Sequence, residues 1–137
     1  LLYQIKIFMK KKMFRITGWT LSIMLGLIFA FSAAMKLTAS AETIAQAGSM
    51  GLSPGWFRFI GILELASLVL FLIPRTAMIG TLLLIAYMGG AIATHVEHNQ
   101  PAMVAIAVQV LLWVAAALRI PRLRAGLLLK KSTEPLQ

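Results

Sequence analysis

The chain has 137 residues, 60% of them hydrophobic and 12% charged, with a formal net charge of +9 and no cysteine. Soluble domains are about 45–50% apolar and about 25% charged, so the excess here points to a membrane protein. The missing cysteine excludes a disulfide framework, a thiolate-bound metal, an iron–sulfur cluster and a thiol redox centre. The positive charge does not argue for nucleic acid. Lys and Arg cluster beside apolar runs, where they orient membrane proteins and meet anionic lipid heads.

Residues 1–15 read as a basic arm carrying Lys10, Lys11, Lys12 and Arg15 just ahead of the first apolar run. Met9 and Met13 are both candidate starts, which would make the first eight residues an upstream extension. The first span is expected over 16–36. Ala39-Ser40-Ala41 resembles a signal-peptide cleavage site. The apolar run is about 20 residues, against roughly 7–15 for a signal sequence, and favours a transmembrane helix. Ser32, Ala33 and Ala34 near its end are small enough for close helix packing.

Residues 37–55 form the longest connection, broken by Gly48, Gly51, Pro54 and Gly55, with a short interfacial helix expected over 41–47. Ser53-Pro54 then starts the second span, expected over 56–73, with Trp56 and Phe57 as interfacial anchors. One carboxylate, Glu64, interrupts this apolar run. At that depth a charge costs at least a few kcal/mol unless it finds a partner or stays protonated. Pro74-Arg75 stops the helix, and a third span over 77–95 follows at once, making a hairpin. The fourth span is expected over 102–118, with Gln109 as its strongly polar interior residue. A basic tail over 120–137 follows, with a short surface-lying stretch around 126–129 and a frayed end over 131–137.

These spans predict an all-α, antiparallel four-helix transmembrane bundle. The arm, the Arg75 turn and the tail, counted with Arg119 just before it, hold 11 of the 13 Lys and Arg residues. The positive-inside rule then places both termini of this multi-pass protein in the cytoplasm; the expected location is a bacterial inner membrane. That topology brings Lys36, Arg58, Glu64 and His95 to the outer half of the bundle. Glu64 lies eight residues into its span, about 12 Å deep. Lys36, Glu64 and His95 are therefore candidate pocket residues: Lys36 to pair with the carboxylate, His95 to add a hydrogen bond or proton relay. Arg58 reads as a side chain that snorkels to the interface. His95, Glu97 and His98 present too few ligands at a helix end to predict a metal centre. No nucleotide loop, nucleophile–base pair or dinucleotide fingerprint is present, and no catalytic residue is assigned.

Several stretches carry a resemblance to a known family. They are F-A-F-S-A-A-M-K-L at 29–37, the approach to the second span at 51–56, F-I-G-I-L-E-L at 59–65, I-P-R-T-A at 73–77 and A-I-A-T-H at 91–95. In order and spacing they resemble the DoxX-like family of small four-helix membrane proteins, from about Arg15 to Arg119. The resemblance implies a link to quinone-associated redox and oxidative-stress systems. It carries over Lys36, Glu64 and His95 as pocket positions. It does not by itself make the chain an enzyme.

Three functions follow as expectations. The first is a membrane subunit that binds a quinone or similar lipophile, with a membrane redox protein or a second copy of the chain as partner. The second is an assembly partner without a ligand. The third is a small proton-coupled transporter, since an intramembrane carboxylate often marks a substrate or proton path.

Overall fold

The computed structural model describes residues 1–128. The frayed end expected over 131–137 lies outside the described residues. Six helices follow one another: α1 Leu2–Thr38, α2 Ala41–Ser49, α3 Pro54–Leu72, α4 Ala77–Glu97, α5 Met103–Arg119 and α6 Pro121–Leu127. No strand occurs among the described residues.

The helix ends follow from local chemistry. α1 has no proline to stop it and runs until Ala39, which takes a left-handed conformation at φ 48°. Ser40 then caps α2 by accepting from the Thr43 amide at 3.2 Å. Ser53 caps α3 in the same way, with Pro54 in the first turn where its missing N–H costs nothing. Pro74 ends α3, and Asn99 turns the chain out of α4 at φ 54°.

The structure differs from the sequence expectation at both ends of the membrane region. The basic arm is not a separate segment: it continues α1, whose 37 residues extend about 55 Å, well beyond a hydrocarbon core of about 30 Å. At the other end, α5 has 17 residues, and Ile120-Pro121 bends the chain by 110° into α6. α1, α3 and α4 are each long and apolar enough to cross a membrane, whereas α5 meets that measure only together with α6.

α1 packs on α3 and α5, and α4 packs on the same two helices, so contacts close into a ring. Leu25, Phe29, Leu68, Phe71, Leu84, Met88, Leu112, Ala115 and Ala116 fill its centre. Ile23, Leu27, Phe31, Ile62, Val69, Ile79, Leu82 and Val110 stay exposed on the outside. Large apolar side chains in that position are the surface a bilayer covers. Ser22 and Thr81 are buried and return their hydroxyls to carbonyls one turn back, Gly18 and Ala77, each at 2.7 Å.

Glycine sets the closest approaches. A Cβ at Gly80 would lie 2.0 Å from the Phe71 amide nitrogen, so α4 meets the α3 backbone directly. A Cβ at Gly61 would lie 2.9 Å from Lys36 Cβ and 3.4 Å from the Ala33 carbonyl oxygen. That second crossing positions the site described next.

Candidate functional site

Glu64 lies one turn along α3 from Gly61. Because Gly61 lets α1 come close, Lys36 in the last turn of α1 reaches across to it. Lys36 Nζ stands 2.9 Å from Glu64 Oε2. It also donates to Ser32 Oγ at 2.5 Å and to the Ser32 carbonyl at 3.3 Å. The ammonium thus has an acceptor for each N–H donor. Its position near the carbonyl end of α1 adds a favourable helix-dipole contribution. The rings of Phe57 and Tyr87 flank it, with centroids 5.7 and 5.8 Å from Nζ, close enough for cation–π attraction.

The pair is asymmetric in its access. Glu64 is 1% exposed, while the Lys36 side chain is 13% exposed. The carboxylate is the buried member of the pair and the ammonium the one nearer the surface. Tyr87 of α4 joins the centre through its ring, beside the Lys36 ammonium. Phe29 meets the Tyr87 ring edge-on at 6.2 Å and seals the side towards the core. Three helices therefore supply the centre: α1 with Ser32 and Lys36, α3 with Phe57 and Glu64, and α4 with Tyr87.

The other sequence-selected residues stand apart from this centre. His95 lies eight residues beyond Tyr87 on α4, about 12 Å along the axis. Its Nδ1 is 2.7 Å from the Ala91 carbonyl oxygen of its own helix. Among the described residues it shares no hydrogen bond or ion pair with Lys36 or Glu64. Arg58 is exposed. His98 packs on the glycine turn before α3, where a Cβ at Gly51 would lie 2.9 Å from its Nε2. No group of three or more His, Cys, Asp or Glu side chains is placed to hold a metal ion among the described residues. Hollows on the surface open beside Lys6, Met9 and Met13 and beside Ser53, Trp56 and Phe59; neither includes Lys36, Glu64 or Tyr87.

The model of the DoxX-like family matches residues 20–118. The chain belongs to the DoxX-like family. No curated protein and no solved structure matches it. The matched region of this DoxX-like chain contains every residue of the Lys36–Glu64 centre and excludes the basic arm and α6.

Sequence reasoning took Ser32 for a small packing residue and Phe57 for an interfacial anchor, and it passed over Tyr87, an aromatic inside an apolar run. The α3–α4 hairpin did hold a usable signal. Counting outward from its Pro74-Arg75 turn puts residue 64 level with residues 85–87, and Tyr87 is the polar aromatic there.

Proposed function

We propose that this DoxX-like chain is a four-span protein of a bacterial inner membrane. Its helices α1, α3, α4 and α5 form the antiparallel bundle, with both termini in the cytoplasm. Its Lys36–Glu64–Tyr87 centre receives the polar head of a quinone or similar lipophile, and the chain serves as the membrane subunit of a redox system.

One observation carries this reading: a buried carboxylate in an apolar bundle, held by a partly exposed ammonium from one neighbouring helix that is itself flanked by a tyrosine ring from another. Buried ionisable groups at membrane depth commonly mark ligand or proton sites. A quinone bound here would supply the two-electron redox chemistry, with the electrons coming from a redox partner protein. The residues here fit its polar head. Tyr87 would offer an O–H donor to a ring carbonyl, Lys36 would turn an N–H towards it by releasing Ser32, and Glu64 would be the proton acceptor beside it. Phe57 and Phe29 give the apolar walls such a ring needs.

A second reading has its own support. Every donor of the Lys36 ammonium already has an acceptor within the protein, so the pair also works as a clasp between α1 and α3 in an assembly subunit without a ligand. Titrating a short-chain quinone into purified protein separates the two. Saturable quenching of tryptophan fluorescence that is lost in Glu64→Gln, with the helical circular dichroism intact, supports the ligand site. Quenching that does not saturate, or is equal in the variant, leaves the clasp.

The topology has a clean test because the chain has no cysteine. Single substitutions Ser49→Cys and Leu128→Cys should label with an impermeant maleimide from opposite sides of the membrane, Ser49→Cys from outside. Labelling of both from one side contradicts the four-span arrangement.

A further inference from the structure

The end of the bundle opposite Lys36 holds a second polar cluster, which the quinone reading does not use. Arg119, at the end of α5, donates from Nη2 to the Phe71 carbonyl, one of the orphan carbonyls at the end of α3. Its guanidinium stacks 4.7 Å from the Trp19 ring and 4.3 Å from the Phe71 ring. Arg124, on α6, lies 5.3 Å from the Phe14 ring. In both arginines Nη1 is buried and meets no acceptor among the described residues. Phe14 and Trp19 are five residues apart on α1, about 7.5 Å along its axis. Both guanidinium groups therefore meet α1 within about a turn and a half of each other along its axis.

This end lacks an internal counter-charge among the described residues. Among the described residues the acids are Glu42 on α2, Glu64 within α3 and Glu97 at the end of α4. None stands at the end where Gly18 meets Leu118 and Arg119, and where Gly80 meets Phe71. Arg15, Arg75 and Arg122 add further positive charge there. A buried guanidinium donor left without an acceptor costs free energy that an anionic oxygen would recover. The 110° bend between α5 and α6 turns α6 across the bundle end. Arg124 therefore lies at interfacial depth rather than on a free tail.

We infer that Arg119 and Arg124, with Phe14 and Trp19 of α1 as the wall, form a binding site for the phosphodiester head of an anionic phospholipid. The forked guanidinium matches phosphate oxygens in two-point geometry. Basic pockets between membrane helices are suited to such heads. The aromatic faces take the glycerol and upper acyl carbons. α6 folds down over the head, so that the phosphate replaces the present cover of the two Nη1 atoms. This inference stands on the geometry of the inner end and does not rest on the quinone reading.

The test is native mass spectrometry of the purified full chain, titrated with phosphatidylglycerol and, separately, with phosphatidylethanolamine. Arg124→Gln is the main variant, because Arg119 also caps α3 and its loss threatens folding. Arg75→Gln serves as a control that removes the same charge from the same end. The expected result is preferential binding of phosphatidylglycerol, weakened about tenfold in Arg124→Gln and within twofold of wild type in Arg75→Gln. Inorganic phosphate at millimolar concentration should not compete. Equal binding of the two lipids overturns the inference. So does an equal loss in both variants, which would mean diffuse surface charge, and so does full competition by inorganic phosphate, which would mean a free-anion site. A Glu64→Gln variant that loses quinone yet keeps phosphatidylglycerol would separate this site from the outer one.

Discussion

Replacing Lys36 by Met removes the cation that holds Glu64 while keeping the length of the side chain. The carboxylate is 1% exposed, so little water can reach it in compensation. Breaking a buried ion pair from one side costs about 3–5 kcal/mol, because the remaining charge is stranded. Ser32 loses its contact with Nζ, but a serine hydroxyl in a helix can bond one turn back, as Ser22 and Ser67 do here. The expected loss for Lys36→Met therefore lies near the lower end, about 3 kcal/mol. Glu64→Gln should cost less, since an amide oxygen still accepts from Nζ and no charge is stranded on α3. The double variant Lys36→Met with Glu64→Leu removes both charges and should recover most of the loss. Equilibrium unfolding in mixed micelles, followed by tryptophan fluorescence and circular dichroism, measures all of these. If the double variant's loss equals the sum of the losses of Lys36→Met alone and Glu64→Leu alone to within about 0.5 kcal/mol, the two groups are not coupled and the reasoning fails.

Other predictions follow from the close approaches and the caps. Gly80→Ala places a Cβ 2.0 Å from the Phe71 backbone, so α3 and α4 must separate; the variant should fail to give a monodisperse folded species in size-exclusion chromatography. Gly89→Ala meets nothing within 4 Å and should be neutral or stabilising by about 0.4–1 kcal/mol in the same unfolding assay. Gly61→Ala pushes against Lys36 Cβ at 2.9 Å; it should cost about 1–3 kcal/mol and weaken quinone quenching by displacing Lys36, whereas full retention of both would mean that the crossing is soft. Ser53→Ala removes the cap of α3 and should cost about 1 kcal/mol, read as a lower unfolding midpoint with unchanged quenching.

The membrane helices were legible because their signals are local. A long apolar run, Ser53-Pro54 at one end and Pro74-Arg75 at the other bound α3 closely, and α4 begins at Ala77 as the hairpin spacing requires. Glu64 stood out because a lone acid in an apolar run is expensive. Lys36 was the nearest cation on another helix. What the sequence hid depends on how helices sit against one another. Tyr87 and Phe57 become part of the centre only through the register of α4 on α3 and the closeness of α1 at Gly61. His95 drew notice for its ionisable ring, yet two turns of helix separate it from Tyr87. Arg119 read as one more cation between the last span and the basic tail. Its packing between Trp19 and Phe71 joins three helices and has no local signature. The arm read as a separate basic segment because its charge differs from the span, but charge does not stop a helix, and nothing between Leu2 and Thr38 does.

The central claim is that the Lys36–Glu64–Tyr87 centre holds the polar head of a lipophile. Its most direct test is native mass spectrometry, with lipid extraction, of gently solubilised wild type, Glu64→Gln and Tyr87→Phe prepared side by side. A quinone or similar lipophile retained by the wild type, lost in Glu64→Gln and reduced in Tyr87→Phe is the predicted result. A wild type that carries no lipophile, or a Glu64→Gln variant that retains as much as wild type, would contradict it.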